Sequence, residues 1–130
     1  MDYERSITID MPYAEAVRHT REALAEQGFG ILTEIDVQAT LKEKRGLDME
    51  PYVILGACNP ELAHQALEVE RAIGVLLPCN VVVSSVDAGS RVQILDPQMM
   101  ASVTGLPQLQ PIADEATRRL QTVLDALASH

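Results

Sequence analysis

Between Tyr52 and Ser84 two apolar runs flank a helical pattern, and both cysteines of the chain stand at the joints. The first run, Tyr52 to Ala57, is too uniformly apolar for an edge strand and fits a strand covered on both faces. It gives way through Cys58 to Asn59-Pro60, a helix opening in which Asn caps and Pro sits where its missing N–H costs nothing. The second run restarts at Pro78-Cys79-Asn80 and continues to Val86. A strand, a helix and a second strand joined this tightly cannot bury their apolar faces alone. The remaining segments have to supply the cover.

Those segments alternate in type. Residues 3–9 place Tyr3, Arg5, Ile7 and Ile9 on one side, the period of a half-buried strand. Asp10 is expected to cap a helix with Pro12 in its first turn; Tyr13, Val17, Thr20 and Leu24 form its apolar stripe, and Gly28 provides a left-handed exit. Phe29 to Asp36 alternates again. Asp36 then caps a short helix, Val37 to Arg45, stopped by Gly46. The helix after Asn59 turns Leu62, Ala63, Ala66, Leu67, Val69 and Ile73 inward and is expected to end at Gly74. Asn80–Val86 and Arg91–Leu95 pair as a hairpin across Asp87-Ala88-Gly89-Ser90. Asp96-Pro97 opens a helical turn carrying Met99 and Met100. A last helix, Pro111 to about Ala128, presents Ile112, Ala116, Leu120, Val123, Leu124 and Leu127 at core spacing. This order predicts one α+β domain over residues 1–130. Its sheet would be mixed but mostly antiparallel, with about five strands and the long helices packed on one face. One-sided cover leaves a face or an edge to hide, so a homodimer is expected.

Charge narrows the function. A formal net charge of −9 opposes nucleic acid, whose binding rests on Lys and Arg neutralising phosphates, and opposes anionic membranes. No run approaches a membrane span, and the N-terminal MDYERSITID has neither a basic lead nor an apolar signal core, so a cytoplasmic location is expected. In that setting two cysteines are reduced thiols rather than a structural disulfide. The chain has no nucleotide-binding glycine loop, no GxSxG elbow and no HExxH, which removes the common enzyme templates.

What remains is a small set of polar side chains. Cys58 stands at a helix N-terminus, where backbone donors and the helix dipole favour a thiolate. Cys79 opens the next strand, and if the two strands are antiparallel neighbours both sulfurs face one corner. Simple packing accounts for buried cysteines equally well. Two cysteines without a CxxC fall short of a zinc shell, and His19 and His64 read as solvent-face residues. Asn59 is explained by capping. Asn80 has no local role and is a candidate to bond across to the Cys58–Asn59 corner. Glu34 and Asp36 project to the same side of one strand and could hold a ligand or share a proton, although a surface charge and a cap explain them too. The run Lys42-Glu43-Lys44-Arg45 reads as a solvated face. Met99 and Met100 line an apolar pocket, a dimer seam or the core.

Three blocks, GFGILTEIDVQATLKEKRGLD at 28–48, YVILGACNP at 52–60 and IGVLLPCNVVV at 73–83, resemble the bacterial family catalogued as domain of unknown function 302. The resemblance implies a small α+β domain similar to a single copy of the TATA-binding-protein-like fold, assembled as a dimer. It implies no activity and no catalytic residues. The leading functional expectation is a homodimeric protein that holds a small ligand, a soft metal or a transferable sulfur near Cys58, Asn59, Cys79 and Asn80, with Glu34 a further ligand-binding candidate. The alternative is a thiol-dependent redox or sulfur-transfer enzyme with Cys58 as nucleophile and Cys79 as resolving thiol. The third is an interaction module without chemistry.

Overall fold

A computed structural model describes residues 2–130. Five strands, β1 (Glu4–Ile9), β2 (Gly30–Asp36), β3 (Tyr52–Cys58), β4 (Cys79–Val86) and β5 (Gly89–Leu95), form one open sheet in the order β1-β5-β4-β3-β2. Every pairing in it is antiparallel. Five α-helices accompany it: α1 (Tyr13–Glu26), α2 (Val37–Arg45), α3 (Pro60–Val69), α4 (Gln98–Thr104) and α5 (Gln110–Ala128).

The long helices α1 and α5 lie against one face of the sheet. Alternation along the strands decides which side chains meet them. Val53, Leu55 and Ala57 of β3, Val81 and Val83 of β4, and Val92 and Ile94 of β5 are buried against Ala16 and Leu24 of α1 and Leu120, Val123, Leu124 and Leu127 of α5. Each such Val or Leu stabilises the fold by about 1.5–3 kcal/mol relative to leaving it in water. A second, smaller core gathers Leu62 and Ala66 of α3, Ile73, Met100 of α4, Leu109, and Ile112 and Ala116 of α5. The β3–α3 corner lies where the two cores meet.

Local chemistry sets the element ends. Asp36 Oδ1 accepts from the Ala39 N–H at 2.9 Å, and Gly46 closes α2 in the left-handed conformation. Gly28, at φ +84°, carries the chain out of α1. Gly89, at φ +130°, opens β5 where a Cβ would collide with the Ile9 carbonyl oxygen. Three expectations are corrected. Asp10 does not cap α1: the helix begins at Tyr13 with Pro12 at the capping position, which leaves Asp10 two residues too early to reach the free N–H groups. The helix after Asn59 stops at Val69, not Gly74, because Glu70 adopts an extended conformation, its side chain accepts from Ala72 N–H at 3.2 Å, and a 3₁₀ segment, Arg71–Leu76, follows. β3 is buried on its helix side, but Tyr52 and Ile54 on the other side are only half-buried.

Candidate functional site

The end of β3 is held by the start of α3. Asn59 Oδ1 accepts the Leu62 N–H at 3.1 Å, and Pro60 occupies the first turn, so the strand passes into the helix with no intervening loop. Asn59 is 6% exposed, which makes its capping bond a buried one. Cys58 is thereby fixed at the joint. Across the sheet, Cys79 pairs with Ala57, the residue before Cys58. Antiparallel pairing of β3 and β4 therefore puts the two cysteine residues at the same end of the sheet.

They do not occupy it in the same way. Cys79 shares the helix-facing side of the sheet with Ala57, Val81 and Val83, and it is buried. Cys58 is the last residue of β3, at the strand–helix joint, and it is half-exposed. Cys79 forms a wall and Cys58 the rim of a cavity of about 30 Å³ whose lining also includes Phe29, Leu62, Leu77, Met100 and Ile112. A water molecule requires about 10–15 Å³ measured this way, so the space suits a guest of one or two heavy atoms.

The electrostatics run opposite to those of an activated nucleophile. Burial in this hydrocarbon, with a smaller contribution from the charge of nearby Cys58, pushes the Cys79 thiol up to about 11. Burial also raises Cys58 above its ordinary value. The N-terminus of α3 does not offset this, since Asn59 already satisfies the Leu62 N–H. Both cysteines are free and, with both values raised, stay protonated near neutral pH.

The other candidate residues lie elsewhere. Asn80 is exposed on the sheet face away from α1 and α5, because one step along β4 from Cys79 reverses the side. Glu34 is bound by Arg21 at 2.7 Å. With Asp36 and Tyr13 it lines a separate cleft of about 420 Å³ between α1 and β2. There the Tyr13 hydroxyl is raised by burial and then by the Asp36 and Glu34 charges. His64 faces solvent beside Glu68. His19 stacks on His130, ring centroids 4.4 Å apart. Among the described residues no group of three or more His, Cys, Asp or Glu could hold a metal. The donor that residue counting overlooks is the thioether of Met100, which sequence periodicity leaves undecided between core and pocket. Its location beside both cysteines is a product of α4 folding back over the corner.

The comparisons agree with this architecture. The family model described as "Domain of unknown function DUF302" matches residues 5–127. The structure is similar to the crystal structure of an uncharacterized conserved protein DUF302 from Bacillus stearothermophilus, at 30% sequence identity and a TM-score of 0.90, covering 98% of this chain and 99% of that one. No curated protein matches.

Proposed function

The chain belongs to the DUF302 family, and from that premise we propose that it is a homodimeric cytoplasmic protein that binds a soft monovalent metal ion, copper(I), between Cys58, Cys79 and Met100. The supporting observation is that Cys58, Cys79 and Met100, the bearers of two thiols and one thioether, all line a single cavity of about 30 Å³. Thiolate and thioether sulfurs select copper(I), whereas zinc takes three or four charged or imidazole donors. Apart from Asn59, whose side-chain oxygen is engaged by the Leu62 N–H, the rest of the lining is apolar and disfavours water and the hard ions that need oxygen ligands. Two neighbouring thiolates are unfavourable in such surroundings, as the raised Cys79 value records; a bound cation offsets both charges. Asn59 has a supporting role, holding the Cys58 backbone in place through its cap. Asn80 and Glu34, on other surfaces, take no part in this site. No observation favours the reading of Cys58 as a catalytic nucleophile.

Dimerisation is assigned to the free edge of β2. That strand pairs only with β3, and its Leu32 and Ile35 are 66% and 48% exposed. An open edge carrying exposed apolar side chains is a template for pairing with another chain. Sedimentation of wild type and Ile35→Lys tests it: a dimer that becomes a monomer is expected, and equal masses refute it.

The metal reading is tested by anaerobic titration with copper(I) against a chromophoric chelator. One copper per chain is expected, with release of about two protons near neutral pH as both thiols ionise. Cys79→Ser should abolish binding and Met100→Leu should weaken it. Undiminished binding in Cys79→Ser overturns the assignment.

A further inference from the structure

A second cavity backs onto the cysteine corner. It measures about 110 Å³ against about 30 Å³ for the first, and the two share Cys79 and Met100 in their walls. Its lining also includes Met99, Leu76, Asp96 and Val103. Exposure is graded along it: Cys79 and Met100 are buried, Met99 is half-buried, and Val103 is 58% exposed. The one carboxylate in this lining is already engaged. Asp96 Oδ1 accepts the Gln98 N–H at 3.0 Å, and Oδ2 lies 3.4 Å from Arg5 Nε. The side-chain donors left over are sulfur, from one cysteine and two adjacent methionines. Soft donors among hydrocarbon suit a soft ion and not the hard ions that need oxygen.

Resting on the copper reading of the first cavity, we propose that the second is its receiving chamber, where copper(I) arrives as a low-mass thiol complex and meets Met99 as its first protein ligand. Copper(I) is held by thiolates, so it reaches a protein already carrying sulfur. In a ligand exchange the incoming donor binds before the outgoing one has left. A space for one or two heavy atoms admits the ion but not the ion with its carrier. The larger cavity has room for both. The transfer changes no oxidation state. The Met99 thioether adds to copper, then the Cys79 sulfur forms its bond to copper as a carrier sulfur–copper bond breaks. Met100, common to both cavities, holds the ion as it passes to the Cys58 side, where the second carrier thiolate is replaced. Each cysteine proton leaves on the thiolate it displaces, so a bis-thiolate complex departs as two neutral thiols. Met99 does not line the first cavity. It therefore acts on the path and not on the resting site.

The test mixes the reduced full chain rapidly with copper(I)–glutathione to read the rate of loading, and the loaded chain with a chromophoric chelator to read the rate of release. Met99→Leu, close in volume and without sulfur, should slow both by about tenfold. Affinity and the stoichiometry of one copper per chain should stay as in the wild type, because a group used only on the path changes both rates by one factor. Met49→Leu, at a residue that lines neither cavity, should load as wild type. Should Met99→Leu fail to fold, Val103→Trp, which fills the mouth, provides a second comparison and should also slow loading. A folded variant that loads at the wild-type rate overturns the proposal while leaving the copper site in place. Weaker affinity with an unchanged loading rate would put Met99 in the resting site and overturns it too. A wild-type chain that takes up no copper overturns the copper reading itself, and this proposal with it.

Discussion

Cys79 offers a test of the corner that needs no ligand. An unfolded thiol ionises near 9, whereas in the folded chain burial raises Cys79 to about 11. Below the lower value both states carry the proton and the group is silent. Between the two values the unfolded chain releases a proton that the folded chain retains, so folding is progressively opposed. Once pH passes the folded value the full difference is lost. Two pH units correspond to about 3 kcal/mol at about 1.4 kcal/mol per unit. For a domain stabilised by about 5–15 kcal/mol that is a large fraction. Urea unfolding in reducing buffer, repeated from about pH 8 to about pH 12, would follow the loss. Tyrosines and lysines titrate in the same window, so the quantity to read is wild type minus Cys79→Ala; any constant cost of the missing sulfur cancels from the slope. The wild type should lose about 3 kcal/mol more than the variant across the window, with the loss centred between the two values. Parallel curves would refute the burial argument, and a wild type that gains stability with pH would reverse its sign.

Alkylation should separate the two thiols. Near neutral pH half-exposed Cys58 reacts first, and Cys79, with a thiolate fraction about a hundredfold below that of an ordinary thiol, lags behind both Cys58 and free cysteine; peptide mapping after timed quenching reads the order. Asn59→Ala should cost about 1 kcal/mol through the lost cap and also lower copper affinity by loosening Cys58, whereas Asn59→Asp, which keeps an acceptor for the Leu62 N–H, should restore the fold; thermal melts alongside metal titrations check both. Gly56→Ala should destabilise by about 1–3 kcal/mol, because a Cβ there meets the Thr33 hydroxyl and comes 2.9 Å from Pro78 Cγ; equal denaturation midpoints would contradict it.

Periodicity made most of this architecture readable. The strand alternation of β1 and β5 and the stripe of α5 depend only on which face meets the core, and the caps at Asp36 and Asn59 depend on residues three apart. Failures came where a local signal had two solutions. Asp10 and Pro12 both fit a helix start, and the helix begins two residues later than an Asp10 cap requires. Glu70, an ordinary helix former, instead adopts an extended conformation with its carboxylate on the Ala72 N–H, which ends α3 ahead of Gly74. In the site, the antiparallel pairing that brings Cys58 and Cys79 together was a conjecture about topology. Asn80, expected to reach the same corner, instead lies on the opposite face, since adjacent strand residues take opposite sides. Met100 could not be assigned to the cavity from sequence, because its contact with the corner depends on how α4 crosses α3 and α5.

The central claim concerns which atoms surround the guest at the β3–α3 corner, and X-ray absorption at the copper edge of the copper(I)-loaded chain reads those atoms directly. A first shell made only of sulfur is predicted, three in the wild type and two in Met100→Leu. A shell of nitrogen or oxygen, or one that is the same in Cys79→Ser as in the wild type, would contradict it.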